Sequence, residues 1–231
     1  MTETKQIFYI LVFYLTAQLP VAAIWQSALP ESVKVALGIA ATGLLSILIA
    51  ENYRRKLALT LADIGLRLPS LTEARQGAAL AVGAAAAGLA SFALYFALYR
   101  AAFPAAYAKL LAEDSAGLLS SLLGQGDKTF GAMAGLAAGL LLLAAAEEFL
   151  FRGVIYNYLL RSLSWKKAAV WSSLLFAAIH LRPVGVPTQF VNGIILCWIY
   201  RRSGSLPVAA LAHFLYNFSL VTLGKYLVAG A

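Results

Sequence analysis

The chain has 231 residues, of which 61% are hydrophobic and 12% are charged, and its formal net charge is +8. This composition is far from that of soluble globular domains, so it predicts an integral membrane protein. The length fits one domain, and we expect a single transmembrane domain over 1–231. The basic residues are scattered over short loops and form no stripe, which argues against a nucleic-acid partner.

The apolar runs predict an all-α, polytopic fold. A helix needs about 20 apolar residues to cross a bilayer, and several runs approach or exceed that length. They cover roughly 7–27, 33–50, 76–99, 130–160 and 205–228, with two shorter runs at 168–181 and 187–200. The segment 105–123 either lies on the membrane surface or forms one more span. We therefore expect about seven to eight transmembrane helices, with an active site in a cavity of the helix bundle.

The distribution of Lys and Arg predicts the orientation of the chain. If the amino terminus is cytoplasmic, the cytoplasmic loops hold eleven of the eighteen basic residues, which satisfies the positive-inside rule. The eleven are Lys5, Arg54, Arg55, Lys56, Arg67, Arg75, Arg161, Lys166, Lys167, Arg201 and Arg202. If 105–123 forms an additional span, every later loop would lie on the opposite side of the membrane. The short loops and many small residues are typical of a bacterial inner-membrane protein, which is the location we expect.

Two adjacent glutamates interrupt the run at 130–160. Eighteen uncharged residues precede Glu147, and a carboxylate at bilayer depth must face a protein interior or a watery cavity. Glu148 and Arg152 are four residues apart with the acid first, which favours a helical ion pair. Four residues after Glu147 stands Phe151, so Glu147 has no basic residue one helical turn away. Burial would then favour its neutral form, as in a general acid or base. A purely structural Glu148–Arg152 pair remains an alternative.

The later apolar runs add three polar side chains. His180 ends the run WSSLLFAAIH, and His213 and Asn217 lie one turn apart on one predicted helix face. Such groups can donate hydrogen bonds to an oxyanion or bind a metal. A single membrane histidine is more often a helix-contact residue, but two histidines beside an unpaired glutamate and an asparagine favour a site. Ser172 and Ser173 are weaker candidates for a serine-type site.

Three motifs occur in order on successive apolar segments. EEFLFR fits Glu-Glu-x-x-x-Arg, FAAIH fits Phe-x-x-x-His, and HFLYN fits His-x-x-x-Asn. Together they resemble the CPBP intramembrane protease family, which groups CAAX endopeptidases with bacteriocin-processing and bacteriocin-immunity proteins. The resemblance covers about 130–220, the expected catalytic core. It implies an intramembrane endopeptidase that acts on a membrane-associated protein or peptide within the lipid bilayer.

The resemblance also implies a role for each motif residue. Glu147 would activate a water that His180 holds or shares. His213 and Asn217 would stabilise the tetrahedral oxyanion of peptide-bond hydrolysis. The supporting residues would be Glu148 and Arg152.

Two alternatives accompany this interpretation. The family is also described as metalloproteases, and Glu147, His180 and His213 are the residues that would hold a Zn²⁺ ion. We expect no required cofactor, because the chain has no HExxH pair and these residues lie on separate helices. A non-proteolytic immunity or regulatory protein would use the same pocket for binding. A proton-relaying transporter is a third class, which the lack of inverted repeats disfavours.

A straight crossing by every run would separate the site residues. His180 would end on the far side of the membrane from Glu147 and His213. The runs that flank LRPVGVPTQF have only about 14 residues each, short of a full crossing. We therefore predict a hairpin that turns inside the protein, with its loop at 183–187 lining a cavity, where irregular backbone is tolerated.

Overall fold

The computed structural model describes residues 9–10, 12–16, 19–29, 31–67, 70–115, 130–180 and 183–229. Within these ranges the ordered elements are helices, and no strand occurs, which confirms the all-α class. The helices are α1 (Leu19–Gln26), α2 (Glu31–Lys56), α3 (Leu71–Ala102), α4 (Pro104–Ser115), α5 (Phe130–Glu148), α6 (Trp165–Ala178), α7 (Val186–Ser203) and α8 (Leu206–Ala229). Parts of the predicted runs at 7–27 and 105–123 lie outside the described residues.

Three helical segments in the described part of the chain are long and apolar enough to cross a membrane. They are Leu71–Ala102, Ala134–Leu159 and Leu206–Leu223. They support an integral membrane protein, but the expected count of seven to eight spans is not confirmed. The 14 residues of α6 rise only about 21 Å, which is short of the bilayer core.

Helix α5 occupies the centre of the described bundle. It packs against α2 on one side and α8 on another, while α3 contacts both α7 and α8 and α6 packs against α7. The segment that follows α5, Phe149–Tyr156, contacts α2, α6, α7 and α8. The EEFLFR motif therefore lies where several helices meet, and its buried side chains can reach groups from distant parts of the sequence.

The chain widens into a π-helix over Phe149–Tyr156, directly after the two glutamates. A π-helix pairs residues five apart and is found frequently at functional sites. The side-chain amide of Asn157 donates to the carbonyls of Arg152 (3.0 Å) and Gly153 (3.1 Å) and to the Tyr200 hydroxyl (2.8 Å). Asn157 therefore satisfies carbonyl groups at the end of this segment and connects it to α7.

The linker between α2 and α3 is held against the rest of the bundle. The Thr60 hydroxyl and backbone N–H both donate to Asp63 at 2.7 Å, and these bonds lower the pKa of the Asp63 carboxyl. The Arg161 guanidinium donates to the Leu57 carbonyl at 2.6 Å. The linker is thus fixed by its own backbone turns together with bonds to the rest of the bundle.

Candidate active site

A fully buried ion pair forms the base of the site. Arg152 Nη1 donates to Glu148 Oε1 at 2.7 Å, and both side chains are 0% exposed. Arg152 Nη2 donates to the Gly193 carbonyl at 3.0 Å, and the guanidinium lies 4.8 Å from the centroid of the Phe176 ring. The predicted Glu148–Arg152 pair is present. Because each charge is removed from solvent, each depends on the other for its stabilisation.

The imidazole of His213 lies between the two glutamates. Its Nδ1 is 2.9 Å from Glu148 Oε1, and its Nε2 is 3.6 Å from Glu147 Oε2. Helix geometry offsets adjacent side chains by about 100°, and here the two carboxylates face different nitrogens of one ring. The 3.6 Å contact is longer than a hydrogen bond. Among the described residues no hydrogen bond binds the buried Glu147 carboxylate.

The Phe176 ring connects the two histidines. Its centroid lies 4.8 Å from that of His180 and 5.6 Å from that of His213, both edge-on. His180 Nδ1 is also 2.7 Å from the Phe176 carbonyl oxygen. If Nδ1 carries the proton, this bond fixes the tautomer and leaves Nε2 as an acceptor. The structure therefore places His180 and His213 against the same aromatic ring.

The first helix of the hairpin that carries His180 has the predicted 14 residues, whereas the second has 18 and is longer than its predicted run. Helix α6 ends at Ala178, a 3-10 turn covers Pro183–Gly185, and α7 begins at Val186 and packs back on α6. Pro183 is exposed and Val184 is half-buried. Residues 181–182 lie outside the described ranges, so the cavity-lining role of this loop stays a prediction.

Asn217 lies on α8 one turn after His213, as the sequence indicates, and is half-buried. No described residue makes a hydrogen bond with its amide. The structure thus brings Glu147 to 3.6 Å from His213 and places the Phe176 ring against both His180 and His213.

The described residues contain no group of three or more His, Cys, Asp and Glu side chains arranged to hold a metal ion. The predicted zinc ligands are Glu147, His180 and His213. Glu147 Oε2 and His213 Nε2 approach each other at 3.6 Å, and the Phe176 ring lies beside both imidazoles. This set does not fit a zinc ion in the observed arrangement, since a catalytic zinc needs three protein ligands around it.

Gly193 contributes to the site in a way that sequence motifs did not indicate. A Cβ on Gly193 would lie 2.8 Å from the Ser173 Cβ and 3.1 Å from its Cα. Only glycine allows α6 and α7 to approach this closely, and the approach brings the Gly193 carbonyl to Arg152. The one sequence feature that could have indicated this close approach of two helices is a glycine inside an apolar helix.

The two serines considered for a serine-type site serve helix packing. Ser172 Oγ donates to the Phe151 carbonyl at 3.2 Å, and Ser173 Oγ lies 3.9 Å from Cys197 Sγ. Both serines are 0% exposed. Cys197 is also buried, and it packs as a small apolar core residue.

Gly193→Ala should destabilise the fold by about 1–3 kcal/mol, the usual cost of overpacking, and should weaken the Arg152 contact. The matched control is Gly83→Ala, because a Cβ at Gly83 meets nothing within 4 Å. That control should be neutral or slightly stabilising, since alanine is the better helix former. Thermal unfolding of both purified variants in detergent measures the difference. Equal melting temperatures would contradict a packing role for Gly193.

Residues 129–219 match the family model described as Rce1-like, type II CAAX prenyl endopeptidase. The matched range contains all three motifs and every predicted site residue, so the predicted resemblance to the CPBP family is confirmed. The first 128 residues lie outside the match. Comparisons with curated proteins and with solved structures give no match. The buried glutamate and histidine cluster therefore lies in the part of the chain that resembles a membrane protease.

Proposed function

We propose that the chain is an intramembrane endopeptidase that hydrolyses peptide bonds of membrane-associated proteins or peptides. The observation that carries the proposal is the position of Glu147. Its carboxylate is buried and without a hydrogen bond among the described residues, yet it faces His213, which the Glu148–Arg152 pair holds in place. A carboxylate left free in this way is suited to accept a proton from water.

Glu147 acts as the general base in this mechanism. A water molecule gives a proton to its carboxylate as the water oxygen attacks the scissile carbonyl carbon. The carbonyl electron pair moves to oxygen and forms a tetrahedral oxyanion. When that intermediate collapses, the C–N bond breaks and protonated Glu147 gives the proton to the leaving amine. The carboxylate is regenerated, and the sum of the two steps is one water consumed per peptide bond.

His213 and Asn217 stabilise the oxyanion from one face of α8. The Asn217 amide supplies N–H donors. His213 Nδ1 faces Glu148 at 2.9 Å, and its Nε2 lies 3.6 Å from Glu147 Oε2. Nε2 is therefore the ring nitrogen on the Glu147 side, where the oxyanion would form. Each oxyanion donor of this kind is worth about 10²- to 10³-fold in kcat.

His180 and the ion pair act as positioning groups. The Phe176 carbonyl holds His180 Nδ1, which leaves Nε2 to accept a hydrogen bond from the attacking water. Glu148 Oε1 binds both Arg152 and His213, and so fixes the imidazole relative to Glu147. The pair therefore orients the catalytic histidine without touching the substrate.

Basic residues at one end of the bundle support a cytoplasmic amino terminus. Leu206 N–H donates to the Gly65 carbonyl at 3.1 Å, and the Arg161 guanidinium donates to the Leu57 carbonyl at 2.6 Å, so two polar contacts lie at this end. The basic residues on and beside these connections are Arg54, Arg55, Lys56, Arg67, Arg161, Arg201 and Arg202. The positive-inside rule favours a cytoplasmic location for this end, in a membrane that we propose is the bacterial inner membrane.

The name of the matching family suggests the first substrate to test, a prenylated peptide that ends in a CAAX sequence. We expect the purified protein in lipid nanodiscs to release the carboxyl-terminal tripeptide, detected by mass spectrometry. We also expect the rate to survive treatment with a chelator, because the proposed mechanism uses no metal. Cleavage that stops on chelation and returns with Zn²⁺ would contradict the metal-free mechanism while preserving the endopeptidase.

A further inference from the structure

The side chain of Asn157 holds the end of the π-helical segment Phe149–Tyr156. Buried carbonyl groups need hydrogen-bond partners, and a π-helix interrupts the regular pairing of an α-helix. The backbone N–H of Asn157 donates to the Val154 carbonyl. Its side-chain Nδ2 lies 3.0 Å from the Arg152 carbonyl oxygen and 3.1 Å from that of Gly153. One amide thus fixes two carbonyls of the widened segment.

The same amide connects the segment to α7. Asn157 Nδ2 donates to the hydroxyl of the buried Tyr200 at 2.8 Å, and Arg152 Nη2 donates to the Gly193 carbonyl at 3.0 Å. Gly193 and Tyr200 are seven residues apart, close to two helical turns, so they lie on one face of α7. The segment is therefore attached to that face at two points about 10 Å apart.

These contacts hold Arg152 at both its backbone and its side chain. Its carbonyl accepts from Asn157, and its guanidinium donates to the Gly193 carbonyl and to Glu148 Oε1, the latter at 2.7 Å. The same Glu148 oxygen lies 2.9 Å from His213 Nδ1. A series of contacts thus leads from Asn157 to the His213 imidazole. Because polar groups in such a buried network orient one another, a displaced Arg152 would also displace the imidazole.

Asn157 itself stands outside the glutamate and histidine cluster. It is half-buried, and in the described part of the chain the hydrogen-bond partners of its amide are two carbonyls and one hydroxyl. Any effect of Asn157 on hydrolysis must therefore pass through another residue. Such an indirect effect can be large, because a misplacement of about 1 Å at the reacting groups can lower a rate about 10²-fold.

We propose that Asn157 is a positioning residue for peptide hydrolysis, a role that rests on the endopeptidase activity proposed above. Its side-chain amide holds the widened segment against Tyr200 of α7 and so sets the place of the Glu148–Arg152 pair. The pair in turn fixes the His213 imidazole beside the general base. Loss of the amide leaves substrate binding intact and slows the chemical step.

The first readout is steady-state kinetics of the purified full chain on the prenylated peptide. Asn157→Ala should lower kcat about 10- to 100-fold and leave KM near the parental value, because the amide serves the segment and not the substrate. Tyr200→Phe keeps the ring and both carbonyl bonds, so it should lower kcat only about three- to tenfold, the range of one neutral hydrogen bond. The matched control Asn52→Ala makes the same change at an exposed position of α2 and should keep the parental kcat.

The second readout is the His213 imidazole itself, observed by NMR of protein that carries isotope-labelled histidine. The chain has two histidines, so the spectrum contains two rings, and His180→Gln assigns them. A ring N–H that donates to a carboxylate gives a downfield proton signal that exchanges slowly with water. Since Nδ1 faces Glu148 at 2.9 Å, we expect this signal in the parent and in Asn52→Ala. In Asn157→Ala it should move upfield and exchange faster.

The melting temperature separates positioning from simple stabilisation, with all rates and spectra taken well below it. An Asn157→Ala protein that melts lower but keeps the parental kcat and His213 signal would overturn the proposal, because the amide would then serve the fold alone. If that variant does not fold, a folded Tyr200→Phe protein with parental kcat and signal would overturn it. The imidazole signal needs no substrate, so a parent that cleaves no peptide contradicts the proposed function separately from the contacts of Asn157.

Discussion

Glu147→Gln is expected to lower the rate of peptide hydrolysis by about 10²- to 10⁴-fold, the usual contribution of a positioned general base. Glutamine keeps the size and most of the polarity of the side chain but cannot accept the proton of the attacking water. Because no described residue makes a hydrogen bond with the Glu147 carboxylate, the change should leave the melting temperature within a few degrees of the parent. Steady-state kinetics on a prenylated peptide measures the loss.

The control for this prediction is Glu51→Gln, which makes the same chemical change at the end of α2. Glu51 pairs with Arg54 at 2.6 Å at a partly exposed position away from the cluster, and such surface pairs contribute about 0–1 kcal/mol. Its kcat should match that of the parent. A Glu147→Gln variant that retains parental kcat would remove Glu147 from the mechanism.

The second large effect is the loss of folding stability expected when Arg152 is replaced. Arg152→Met leaves the Glu148 carboxylate buried without its cation, and breaking a buried pair in this way costs about 3–5 kcal/mol. The double variant Glu148→Gln, Arg152→Met removes both charges from the same 0% exposed environment. It should recover part of the loss, because a buried neutral pair costs less than one buried charge. Unfolding of both variants in detergent measures the two changes.

A double-mutant cycle separates the ion pair from the other contacts of Arg152. The guanidinium also donates to the Gly193 carbonyl at 3.0 Å, so recovery should be incomplete. A single Arg152→Met variant as stable as the parent would contradict the structural role of the pair. A double variant less stable than the single one would show that other contacts of Glu148, such as the one to His213 Nδ1 at 2.9 Å, outweigh the removal of its buried charge.

The helices and the contacts between neighbouring turns of one helix can be predicted from the sequence. The apolar runs indicate the described helices, and the i, i+4 spacing of Glu148 and Arg152 predicts a pair that the structure contains. Spacing also places His213 and Asn217 on one face of α8. These features are local, so they depend on helix geometry alone.

The remaining features depend on tertiary contacts. Apolar residues surround almost every position of α5, so its sequence does not indicate which face meets α8 or that both glutamates reach His213. The π-helix at Phe149–Tyr156 ends at Asn157, whose amide donates to the Tyr200 hydroxyl on α7, a contact between residues 43 positions apart. In the sequence, Phe176 is only the first residue of the Phe-x-x-x-His motif. Its contact with both histidine rings follows from the packing of α6 and is not visible in the motif.

The most direct measurement of the central claim compares peptide termini in membranes by mass spectrometry. One set of cells carries the parent chain and the other carries Glu147→Gln at equal abundance. The proposed endopeptidase predicts a group of new termini from membrane-associated proteins that is present with the parent and absent with the variant. Identical termini in both sets, together with an unchanged cellular phenotype, would contradict hydrolysis and support a binding or immunity function for the same pocket.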